Sequence, residues 1–194
     1  MKKRITFIIS YFFIVFLLFV WQKPLFMLYN EAIDKGLSFN DFCQVMLHGM
    51  SLDATTAGYL AAFPFLCILV SIWLKKFPLR KILLPYYIVI SILISLVFVG
   101  DMALYPFWGF KLDASIFLYL DSPKEALASV STGFVLLRVA VILLLVVFHV
   151  WLMRKVTPKR LQAVSKRLAG TGGMILLGGL LLLFEVVSQN QHLM

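Results

Sequence analysis

Four ionisable residues, Asp53, Asp101, Arg138 and Glu185, stand at or inside the edges of long apolar runs. A charge in that position is costly unless it is paired or wetted, so each is a starting point for chemistry. Arg138 falls about six residues into its run, roughly 9 Å from the edge at about 1.5 Å per residue. Glu185 lies at a similar depth in the last run and is its natural partner, while Asp53 and Asp101 complete a polar ring around one mouth. Close by in sequence is an aromatic group, Tyr105, Phe107, Trp108, Phe110 and Tyr119, with Lys111 and Asp113 beside it. Lys111 and Arg138 are the cations nearest those rings, and a phosphate at a membrane interface needs such a donor. The candidate contact set is therefore Asp53, Asp101, Tyr105, Trp108, Lys111, Asp113, Arg138 and Glu185. Two readings fit it: a site for a lipid headgroup or for the linker into an outer domain, and a structural ion pair that fixes helix order while the other acids are solvated.

Other reactive side chains are scattered. His48 and His192 stand singly in the sequence, and His149 beside Trp151 reads as an amphipathic ring at an interface. No His, Cys or acid cluster has the spacing of a metal site. The glycines at 170, 172, 173, 178 and 179 suit close helix approach rather than phosphate cradling, and Ser91 with Ser95 forms a small-xxx-small pair of the same meaning. Pro64 and Pro85 are expected to bend helices. Cys67 lies deep in an apolar run, too far from the surface to pair with Cys43. A nucleophile, a base and a charge stabiliser in one place are not apparent, which predicts an anchor or a partner rather than a self-sufficient enzyme.

The elements that must position these groups follow from composition. A chain of 194 residues that is 62% hydrophobic and 14% charged, with mean hydropathy +0.96, carries more apolar surface than a soluble domain of that size can bury. Its net charge of +9 comes from short basic clusters beside apolar runs, a pattern suited to anionic lipid rather than nucleic acid. Five spans are predicted, at about 5–21, 54–74, 82–99, 133–152 and 169–187, each near the ~20 residues that a hydrocarbon core of ~30 Å demands. The first lacks a cleavage motif and reads as an anchor. Thirteen of the eighteen Lys and Arg residues fall in the N-terminal tail, in the loop from Lys75 to Lys81 and in the loop from Arg154 to Arg167, with no acid among them. The positive-inside rule puts those segments in the cytoplasm and the C-terminus outside.

Two outer loops are expected to carry short helices. Residues 38–49 place Phe42, Val45 and Met46 on one face, with Ser38 or Asn40 as cap and Gly49 as stop, which predicts a helix along the interface. In the loop from Asp101 to Ser131, Asp113 suits a cap and Ser122-Pro123-Lys124-Glu125 is a capping box.

The run Gly100-Asp101-Met102-Ala103-Leu104-Tyr105-Pro106-Phe107-Trp108-Gly109-Phe110-Lys111-Leu112-Asp113, continued by Phe117 to Ala126, resembles the membrane region of bacterial lipoteichoic acid synthase-like proteins, the sulfatase-type phosphoglycerol transferases. His48-Gly49-Met50-Ser51-Leu52-Asp53 is similar to another segment of that group. The resemblance implies a five-helix anchor in a bacterial cytoplasmic membrane, partnered by membrane phospholipid and by an extracytoplasmic sulfatase-type domain. That domain would use a threonine nucleophile and a divalent metal, typically manganese, to move glycerophosphate from a phospholipid. No catalytic residue of the group maps onto this chain, which ends at Met194, so no cofactor is expected within it. Two other classes remain open. A transporter component needs polar residues at the bilayer midplane, which the span centres scarcely offer, and a stand-alone subunit needs only the basic loop from Arg154 to Arg167 as a docking surface.

Overall fold

The computed structural model describes residues 1–30, 36, 38–74, 77–109, 131–159, 161, 164 and 167–190, with side chains for all of these except 107, 108 and 180–190. Those residues form five helices and no strand: α1 (Lys2–Tyr29), α2 (Phe39–Trp73), α3 (Leu79–Trp108), α4 (Thr132–Val156) and α5 (Arg167–Asn190). The expected all-α class is what is found. Among the described residues, α1 to α4 are long and apolar enough to cross a membrane, which suits a multi-pass membrane protein.

The exterior is unlike that of a water-soluble protein. Arg4, Asp53, Ser71, Ser91, Ser95, His149 and Thr157 are buried, whereas Leu17, Trp21, Tyr59, Leu137, Leu144 and Leu176 are more than half exposed. So large an apolar exterior marks a surface that meets lipid. With no water-driven force between helices in lipid, close packing and polar cross-links hold such a bundle together.

α2 packs along α1 and α5, α3 packs along α4, and α1 also meets α4, which joins the two groups. Phe7, Tyr11, Val15, Ile68, Leu83, Tyr87, Met153 and Met174 fill the core. α5 approaches α2 where Gly178 faces Phe65: a Cβ there would stand 2.7 Å from the ring's Cζ, so the missing side chain is what admits the ring.

The helices extend beyond the apolar windows. Residues 39–49, expected as a separate interfacial helix, are instead the opening turns of α2, which continues unbroken to Trp73. The reason is local: Ser38 and Asp41 form a reciprocal capping box, and Gly49 adopts helical rather than left-handed backbone, so nothing stops the helix there. Likewise Asp101, Tyr105 and Trp108 belong to α3 rather than to the following loop. α3 ends only at Gly109, whose φ of 74° is the left-handed C-terminal geometry that glycine adopts without strain. The capping sequences at Asp113 and Ser122 lie outside the described residues.

Pro64 stands inside α2 and cannot donate to the carbonyl of Leu60. Tyr86 of α3 supplies the missing donor, its hydroxyl reaching Leu60 O at 2.7 Å. The proline thus turns a helix's internal bond into a bond between helices.

Candidate functional site

Arg138 lies in the second turn of α4, a helix capped by Ser131, whose Oγ accepts from the Phe134 amide at 3.3 Å. Its guanidinium donates through Nη2 to the Tyr29 hydroxyl at the end of α1. Its Cζ sits 4.5 Å from the Phe134 ring centroid and 5.3 Å from that of Tyr29, within cation–π range. Nε is buried and meets no acceptor among the described residues. Tyr29 was not among the sequence candidates; its signal was a phenol eight residues beyond Trp21, at the far end of the same helix. Glu185, the expected partner of Arg138, lies on α5 with its side chain outside the described residues.

Asp53 is buried on α2 and forms an ion pair with Lys23 of α1, a residue the sequence reading left in a loop. Gly49, one turn before Asp53, leaves the space that the Lys23 ammonium crosses, since a Cβ there would fall on Nζ and Cε. Asp53 and Arg138 thus pair with different residues, Lys23 and Tyr29. Each is tied to α1, Asp53 from α2 and Arg138 from α4. Asp101 is half-buried on α3, and Tyr105 packs edge-on to Phe26 of α1, with centroids 4.9 Å apart at 77°. Trp108 is the last residue of α3, its side chain outside the described set, as are Lys111 and Asp113 entirely.

Below that end, α1 and α4 flank an apolar cavity of about 430 Å³ that is open to the exterior. Ile14, Leu17, Leu18 and Trp21 of α1 and Phe148 and Leu152 of α4 line it. Its volume lies within the roughly 300–1,000 Å³ of ordinary small-molecule sites.

The opposite end of the bundle carries basic residues turned inward as well as outward. Arg4 is buried and donates to Ser71 Oγ at 3.1 Å and Ser71 O at 3.0 Å, tying α1 to the last turn of α2. Arg80 donates to Thr157 O at 2.7 Å and Arg154 O at 3.2 Å, capping the carbonyls that α4 leaves unpaired. Thr157 Oγ1 donates to Met153 O at 2.7 Å, which leaves it to accept from the Tyr87 hydroxyl at 2.8 Å.

A file of polar groups continues into the bundle. Tyr87 stacks on Tyr11 at 5.7 Å, and Ser91 and Ser95 follow on the same face of α3 at spacings of four. Ser95 Oγ and His149 Nδ1 are 3.4 Å apart. The Tyr11 and Ser91 hydroxyls are buried and meet no partner among the described residues. His149 is thus buried against α3 and is no headgroup-level ring, because its position on α4 faces inward. The available signal was Tyr87 one turn before the Ser91 and Ser95 pair, of which the sequence reading takes only the two serines, as a close-packing pair.

Among the described residues no group of three His, Cys, Asp or Glu side chains converges as a metal site would. Cys43 and Cys67 are both free; they sit on one helix, separated by about 36 Å of rise. Compared with protein-family models, with curated proteins and with solved structures, the chain matches none.

Proposed function

We propose that this chain is the membrane anchor and lipid-presenting domain of a cell-envelope enzyme, a sulfatase-type phosphoglycerol transferase acting on a phospholipid. In this reading α5 is the fifth span, the N-terminus is cytoplasmic and the C-terminus extracytoplasmic. The observation that carries it is helix overhang. The 35 residues of α2 rise about 52 Å, beyond the ~30 Å hydrocarbon core and the ~40–45 Å bilayer with its headgroups. The basic residues of Lys2 to Arg4, Arg80 and Arg154 mark the other end, so the excess length of α2 projects from the end that holds Phe39, while the 28 residues of α1 and the 30 of α3, about 42 and 45 Å long, bring Tyr29 and Trp108 to the headgroup level beside it. Phe26 against Tyr105 ties the ends of α1 and α3 together at its base. A braced stub standing clear of the headgroups is the support a catalytic domain working on the leaflet needs. It also holds the segment from Gly100 to Gly109, which bears the resemblance to the transferases.

Sequencing the gene past the codon for Met194 tests the reading. An in-frame sulfatase-type domain is expected, and a stop codon there overturns the anchor assignment.

A second reading, a transporter component, is favoured by one observation: the buried file of Tyr11, Tyr87, Ser91, Ser95 and His149 puts polar groups inside the bundle. Solute flux into proteoliposomes that disappears in His149→Phe would support it over the anchor.

A further inference from the structure

We propose that the seam between α1 and α4 binds one anionic glycerophospholipid, with an acyl chain in the apolar cavity and the phosphate on Arg138. The inference deepens the lipid-presenting part of the function proposed above and rests on it, since that part gives the bound lipid its purpose.

The two halves of the site lie on the same two helices. Ile14, Leu17, Leu18 and Trp21 with Phe148 and Leu152 form the cavity, and Tyr29 with Arg138 closes the seam above it. Along α1, Trp21 to Tyr29 is a rise of about 12 Å, and along α4, Phe148 to Arg138 is about 15 Å. Half of a ~30 Å hydrocarbon core is also about 15 Å, so one acyl chain reaches from the cavity to the guanidinium.

Charge selects the headgroup. Arg138 offers five N–H donors, of which one goes to Tyr29 while Nε has no acceptor among the described residues. A phosphate diester presents oxygens that accept from a guanidinium fork in this arrangement. Phe134 and Tyr29 flank the cation with their rings and hold it at the seam. A zwitterionic headgroup carries an ammonium that opposes this cation; an anionic one does not.

The purified chain is placed in nanodiscs of equal parts phosphatidylglycerol and phosphatidylcholine, and the lipid that stays bound on release is measured by native mass spectrometry. Wild type is expected to retain phosphatidylglycerol in preference. Arg138→Gln should lower that preference about tenfold, a change of about 1.4 kcal/mol, and Arg138→Lys should keep most of it. Leu17→Trp, which fills the cavity, should reduce retention of both lipids. Equal retention of the two lipids by wild type overturns the inference, and so does an unchanged preference in folded Arg138→Gln. If Arg138→Gln does not fold, Leu17→Trp decides: unaltered retention overturns the site, and reduced retention supports it. A stop codon after Met194 together with selective phosphatidylglycerol retention would sink the anchor reading and leave this site standing.

Discussion

At the scale of single residues, the polar side chains of this protein tie helices to one another. Lys23 with Asp53, Arg4 with Ser71, Arg80 with Thr157 and Tyr86 with Leu60 each join two different elements. The Tyr86 bond exists because Pro64 removed a donor, and that dependence can be measured. Tyr86→Phe should cost about 1–2 kcal/mol, the penalty of leaving a buried carbonyl unsatisfied. With Pro64→Ala in place, the backbone amide of the new alanine restores the intrahelical donor to Leu60, so the same change should cost little. Reversible unfolding of the two single variants and the double variant in detergent gives the coupling; strictly additive losses would contradict the account. The partner of Pro64 was not legible in sequence, because a proline announces which carbonyl it orphans and says nothing of who answers it.

At the scale of elements, the helix existence was legible and the helix ends were not. Apolar windows located the membrane-crossing portion of α1 to α4, since length and composition suffice for that. The joins were hidden because residues 39–49, expected as a separate helix, and 101–108, expected as loop, mix polar and apolar side chains, although their backbone bonds simply continue α2 and α3. Gly178 shows how one position sets an element's distance. Replacing a helical glycine by alanine ordinarily gains up to about 1 kcal/mol. A methyl group 2.7 Å from Phe65 Cζ reverses that, because overpacking costs about 1–3 kcal/mol. Gly178→Ala is therefore expected to destabilise by about 1 kcal/mol and to become neutral or stabilising once Phe65→Leu opens the seam. Thermal unfolding of both variants would show that change of sign, and a stabilising Gly178→Ala with Phe65 still present would mean that α5 does not pack on α2 there.

For the whole molecule, threading is the quantity on which the proposed function depends. Cys43 lies near the start of α2, and Cys67 is buried farther along it. With the basic end in the cytoplasm, a membrane-impermeant maleimide should label Cys43 in intact cells and leave a Cys43→Ser variant unlabelled. Labelling that appears only after the cells are permeabilised would mean the bundle is threaded the other way.

The amino-acid sequence by itself determined the membrane-protein composition, the apolar runs that become helices and the gathering of cations into three clusters that flank them. These are properties of consecutive residues, and hydropathy and charge need no neighbours in space. The tertiary structure decided which charges meet. It put Lys23 on Asp53 and Arg138 on Tyr29, turned His149 inward to Ser95, and opened a cavity between α1 and α4. Those pairings depend on how each helix is rotated about its axis and which helices are adjacent. With lipid on the outside and apolar side chains on nearly every face, local periodicity fixes neither.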